Sequence, residues 1–105
     1  NTAFPFLSST LLLGKLNKGI IIDCSHDNSL HDGKKDFMKQ IDNANYIASI
    51  WNELEIIKGI MIESNINEGK QSIDNKPLKK GVSITDGCIN LSDTYNILKT
   101  MNTSA

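Results

Sequence analysis

The sequence predicts an α/β protein built on parallel strands. Two observations lead there. Three short apolar runs each break off into polar residues: Ile20-Ile21-Ile22 into Asp23-Cys24-Ser25-His26-Asp27-Asn28, Ile56 to Ile62 into Glu63-Ser64-Asn65, and Val82-Ser83-Ile84 into Thr85-Asp86. Between the first two lies a stretch of helical period, so strand, helix and strand follow one another as a βαβ unit with parallel strands and a right-handed crossover. Buried strands that end in polar clusters are where α/β folds place chemistry, at the carboxyl ends.

Residues 19 to 26 are the expected first strand. β-branched residues in a row after Gly19 read as a strand buried on both faces. Asn28 to Lys34 is rich in turn formers and reads as loop. Lys35 to about Trp51 is the expected helix. Phe37, Ile41, Ala44, Ala48 and Trp51 make one buried stripe, while Lys35, Lys39, Asp42, Asn45 and Asn52 fall on the wetter side. The second strand is Ile56 to Ile62, where Gly59 marks close approach by other groups. Glu63 to Gly81 is a long polar connection of the kind that often has a function. Its lysines between Lys76 and Lys80 read first as a solvated face and second as a phosphate contact. Val82 to Ile84 is a third, short strand. Ser92 is expected to cap a last helix through about Met101, with Asp93 and Lys99 matching the helix dipole and Tyr95, Leu98 and Met101 facing inward. Before all this, Ser8-Ser9-Thr10 can open a short helix through Leu11 to Leu13 that Gly14 stops.

With 105 residues the chain has room for one small domain and a modest core. A net charge of −1 sets up no field that would draw it to nucleic acid or to an acidic membrane. All 11 basic residues are lysine, so the chain has no guanidinium fork for a phosphate or carboxylate. No apolar run approaches the ~18 residues of a membrane span, and Phe4 to Leu13 lacks the basic start and cleavage pattern of a signal peptide. Cys24 and Cys88 belong to no CxxC pair and read as buried, reduced thiols of a cytoplasmic protein. The first residue is Asn1 rather than methionine, so we expect a piece of something longer.

The three strand ends carry one imidazole and two carboxylates, His26, Glu63 and Asp86. Adjacent parallel strands lie ~4.8 Å apart, so three such side chains can meet at one cation. This donor set suits manganese, iron, zinc or cobalt better than calcium. Asp23 is placed to accept from the imidazole, as metal-bound histidines commonly require. His31, in a loop beside Asp32 and Gly33, reads as exposed and inert. Ser25 and Ser64 lack a glycine-flanked elbow, which argues against a serine hydrolase. Gly69-Lys70 and Gly81 do not make a P-loop.

The stretches IDCSHDNS, GIMIESNINEGKQS and GVSITDGCI, in this order and spacing, resemble the C-terminal third of type I 3-deoxy-D-arabino-heptulosonate 7-phosphate (DAHP) synthases. The resemblance runs from about Gly19 to Met101, and leaves 1–18 as a poorly matched segment before 19–105. It implies a (β/α)8 barrel, of which this chain would hold about strands six, seven and eight and would need the remainder of the barrel as its partner. It implies the condensation of phosphoenolpyruvate with erythrose 4-phosphate at the head of aromatic amino acid biosynthesis. Through it, His26, Glu63 and Asp86 become the metal ligands, with Asp86 and His26 catalytic. Asp23, Ser25, Asn28 and, by matching KDFMKQ, Lys35 become substrate-binding residues, and Glu68, Gly69 and Gln71 loop architecture. A homo-oligomer is implied for the full-length enzyme.

The chain also departs from the family pattern. The family's cysteine ligand and most of its phosphate-holding arginines and lysines belong to earlier strands. The loop after Ser29 is longer than usual. The 105 residues alone are therefore expected to be catalytically silent and marginally folded, with open sheet edges. The alternative is a non-catalytic remnant kept as an interaction module. Octulosonate phosphate synthases of the same superfamily match ESNINEGKQS and SITDGC less well.

Overall fold

The computed structural model describes residues 19–104. The short helix expected through Leu13 and the poorly matched segment 1–18 lie outside the described residues. Strand β1, Ile20–Asp23, pairs in parallel with β4, Ile57–Met61, and helix α1, Lys39–Ile50, connects them. This is the anticipated βαβ unit. The register runs Ile21 to Gly59, Ile22 to Ile60 and Asp23 to Met61, with an irregularity between Ile20 and Ile21.

The core lies on one side of this pair. Ile22 and Ile57 from the sheet, with Cys24 just past β1, meet Ala44, Ile47 and Ala48 of α1. Ile97 and Met101 of the last helix, α2 (Leu91–Thr103), and Ile89 close the cluster. Burying one such isoleucine contributes roughly 1.5–3 kcal/mol. The other face is open: Ile21 is 69% exposed. The expectation of a strand buried on both faces is therefore corrected, because among the described residues nothing stacks on that side. Gly59 lies on it, and the atom nearest to a Cβ placed there is Ile21 Cγ1 at 4.0 Å. The close approach expected at Gly59 is likewise absent among these residues.

Three element boundaries differ from expectation for identifiable reasons. Between β1 and α1 sits a hairpin, β2 (Leu30–His31) with β3 (Lys34–Lys35). Asp32 and Gly33 both take positive φ, +53° and +79°, as a two-residue type I′ turn requires. The turn draws Lys35 into β3, so α1 begins at Lys39 and not at Lys35. Asp36 then accepts from the Met38 and Lys39 amides. The last helix is capped by Asn90 rather than Ser92, with the Asn90 side chain accepting from the Asp93 amide at 2.8 Å. Its buried residues are Ile97 and Met101, while Tyr95 and Leu98 face outward.

The third strand, expected at Val82 to Ile84, is reduced to bridges. Lys70 pairs with Ser83, Gly69 with Cys88, and Ser64 with Ile89 in parallel. The chain that continues the sheet beside the end of β4 is thus Cys88-Ile89, after Asp86. The long connection before it is ordered by Gln71. Its side chain donates to the Lys79 and Val82 carbonyls, at 2.7 and 2.9 Å, and accepts from the Lys79 amide at 2.8 Å. Lys76, Lys79 and Lys80 are all exposed, in keeping with a solvated face.

Candidate metal centre

β1 ends in a tight polar turn. His26 takes a positive φ of 50° and opens a single 3-10 turn, His26–Ser29. Asp23 organises the turn. One of its oxygens accepts from the Ser25 amide at 2.8 Å, and the other meets His26 Nδ1 at 2.8 Å. With Nδ1 holding the proton toward a carboxylate, Nε2 is left with its lone pair free. That nitrogen lies 3.7 Å from Glu63 Oε2 and 4.0 Å from Asp86 Oδ2.

Glu63 follows β4 by two residues and is held from three directions. The Ser25 hydroxyl donates to its carboxylate. The Ile89 amide donates to its carbonyl at 3.0 Å. The side-chain amide of Gln40, on α1, bonds its backbone N–H and C=O together. Asp86 sits in the segment between the Ser83 and Cys88 bridges. A Cβ at the next residue, Gly87, would lie 3.1 Å from Phe37 Cδ2. Glycine there lets the Phe37 ring pack against the loop that presents the carboxylate. Asp86 Oδ1 is 3.8 Å from Lys35 Nζ.

Each of His26, Glu63 and Asp86 thus offers one donor atom, and the donors lie within 4.8 Å of one another. Ions of the expected kind sit about 2.1 Å from imidazole nitrogen and carboxylate oxygen, which puts neighbouring donors roughly 3 to 4 Å apart. The two distances from His26 Nε2 already fall there. One borderline nitrogen and two hard oxygens also suit a first-row divalent ion. The residues fit such an ion.

Electrostatics act in the same direction. The hydrogen bond that His26 donates to Asp23, then the charges of Asp23 and Glu63, raise the His26 pKa above the usual 6.5. A site that attracts a proton to an imidazole attracts a divalent cation for the same reason. Burial pushes the Cys24 thiol up to about 12 and raises that of Cys88. Both are free, buried thiols, and neither is a thiolate donor near neutral pH.

A cavity of about 460 Å³ opens beside the acids, with Ser25, Ser29, Lys35, Glu63, Lys70 and Asp86 in its wall. Of the expected substrate-binding residues, Ser25 and Lys35 line it. Asp23 and Asn28 do not line it. The Asn28 amide donates instead to the Asp23 carbonyl at 2.8 Å and so braces the turn. His31 lies 3.5 Å from Asp32, away from these groups.

The sequence and the fold have known counterparts. Residues 7–99 match the model of the DAHP synthetase I family. The chain belongs to that family. It is 44% identical over 85 residues to a tyrosine-inhibited phospho-2-dehydro-3-deoxyheptonate aldolase of Candida albicans, covering 75% of this chain and 22% of that protein. It is 41% identical over 95 residues to a Tyr-sensitive one of Enterobacter agglomerans, covering 88% and 43%. A solved phospho-2-dehydro-3-deoxyheptonate aldolase of Francisella tularensis superposes with a TM-score of 0.79 at 36% identity, covering 91% of this chain and 27% of that one. The chain thus spans between about a fifth and two fifths of the curated relatives' length. The α/β architecture agrees with that of the solved family member, and no described helix is long and apolar enough to cross a membrane.

Sequence reading missed three residues at or behind the candidate site. Lys70 reaches the cavity from a connection read only as loop. Gln40 and Asn43 are fully buried polar residues of α1 that brace the β4 and β1 ends. A signal for Gln40 did exist, since it falls at helical spacing with Ala44, Ile47 and Trp51 on the inward side.

Proposed function

We propose that the chain is the metal-bearing part of a DAHP synthase, the C-terminal strands of a (β/α)8 barrel. The observation that carries this is the convergence of His26, Glu63 and Asp86 from three separate segments onto one point. The whole enzyme would join C3 of phosphoenolpyruvate to the aldehyde carbon of erythrose 4-phosphate, with water consumed and inorganic phosphate released. Bound at this site, a divalent ion (manganese, iron, cobalt or zinc) supplies Lewis acidity toward a sugar aldehyde.

The chain's own residues prepare that chemistry. Asp23 fixes the imidazole so that His26 Nε2 faces the two carboxylates. Ser25 holds the Glu63 carboxylate in place. Asp86 turns one oxygen toward His26 and the other toward Lys35. Lys35 and Lys70 put positive charge in a wall that the acids would otherwise make negative, which suits a phosphorylated substrate. Asn28 shapes the same end through the turn it braces. Phosphoenolpyruvate and erythrose 4-phosphate are the proposed substrates, and the remaining barrel strands the partner.

The test is a manganese(II) titration of the chain, with free ion read by electron paramagnetic resonance. One bound ion per chain is expected, held much more weakly in Glu63→Ala and in His26→Ala. No binding, or binding indifferent to both substitutions, overturns the metal reading. Assayed with both substrates and manganese, the 105-residue chain is expected to form no heptulosonate phosphate above background. Turnover would overturn the proposal that the missing strands are required.

A further inference from the structure

We infer that Gln40 is a positioning residue for the metal site, setting the direction from which Glu63 offers its carboxylate. This rests on the metal reading above. Gln40 is 0% exposed, and an apolar side chain would fill the same place at lower desolvation cost. A buried amide needs partners, and here both belong to the backbone of one residue. Gln40 Oε1 accepts from the Glu63 N–H at 2.7 Å, and its Nε2 donates to the Glu63 carbonyl at 3.3 Å. Beyond the end of β4 the side chain thus does for the Glu63 N–H what a neighbouring strand would, and it shares the Glu63 carbonyl with the Ile89 amide.

The opposite strand end is treated alike from the same helix. Asn43 is 2% exposed. Its Nδ2 donates to the Cys24 and Asn28 carbonyls at 2.9 and 2.8 Å, closing the turn that carries Ser25 and His26. One helix face therefore holds both donor-bearing segments through side-chain amides. The spacing between His26 and Glu63 follows from α1 and not from the two strands alone.

The experiment is a manganese(II) titration of the full 105-residue chain, with far-UV circular dichroism on every variant. Gln40→Asn keeps the amide and shortens its reach by one methylene. It is expected to weaken manganese binding about tenfold, the lower range for losing an outer partner of a ligand. In a Glu63→Gln background the same change is expected to alter affinity by less than about twofold, because the interaction it orients is already gone. Equal losses in both backgrounds would assign Gln40 a merely structural role and overturn the inference. Unchanged binding in Gln40→Asn would overturn it alone, whereas no binding by the unsubstituted chain would overturn the metal reading and this inference together. Should Gln40→Asn lose its helical signal, hydrogen exchange at the Glu63 amide of the unsubstituted protein decides. Protection is expected, and exchange at the rate of an unstructured peptide would overturn the inference.

Discussion

His26 Nδ1 lies 2.8 Å from an Asp23 oxygen, three residues back along the same turn. The pair dictates which imidazole nitrogen can serve as a donor. Asp23→Asn preserves the shape and removes the charge. Manganese affinity is expected to fall 10–100-fold, the usual cost of losing such a partner, while the circular dichroism spectrum stays unchanged. A titration of both proteins under one buffer checks this.

The same contact sets a pH dependence. Its hydrogen bond and the acids around it raise the His26 pKa above 6.5 in the metal-free protein. The charged imidazole then favours the folded state. That contribution is complete below the unfolded value and is lost as pH rises through the folded one. Metal binding runs the other way, because it needs the neutral ring, so affinity is expected to climb over that interval. Proton NMR of the imidazole, with and without the ion, follows both.

Cys24 gives a signature of the same sign at higher pH. Burial first, then the charge of Asp23, lift its thiol from 9.0 to about 12. The folded chain keeps the proton where the unfolded chain loses it. Stability is therefore expected to decline as pH rises from about 9 toward 12. At pH near 8 the thiol is expected to resist iodoacetamide until urea is added, which mass spectrometry reads directly.

Asn90 offers a local check on the last helix. Its side chain accepts from the Asp93 amide, and the Asn90→Ala variant is expected to lose about 1 kcal/mol. Ser92→Ala, one residue inside the helix, is expected to cost far less. Urea unfolding of the two variants tells which residue is the cap.

What the chain showed of itself in advance follows a physical division. The βαβ unit was legible because Ile20 to Ile22 and Phe37 to Trp51 carry the periods of their elements. The three donors were legible because each ends an apolar run. The hairpin was not read, although Asp32-Gly33 is a strong turn signal, because only four residues pair around it and none is buried. Ser92 outweighed Asn90 as a cap because both residue types suit the position and only geometry separates them. Val82 to Ile84 has strand composition, yet at Lys70 and Ser83 the backbone finds a single partner, and a lone bridge has no period to detect. Gln40 was hidden by its polarity, since a stripe of apolar residues is sought by hydrophobicity and this member of the stripe is an amide.

Side chains alternate along a strand, and the open face of the sheet therefore runs without a break from Ile21 to Asp23 on β1 and from Met61 toward Glu63 beyond β4. A polypeptide laid along both strands on that face would cover Ile21 and Met61 and border the acid cluster as well. Shelter for the apolar half and exclusion of water from the His26, Glu63 and Asp86 cluster would then come from one covering element.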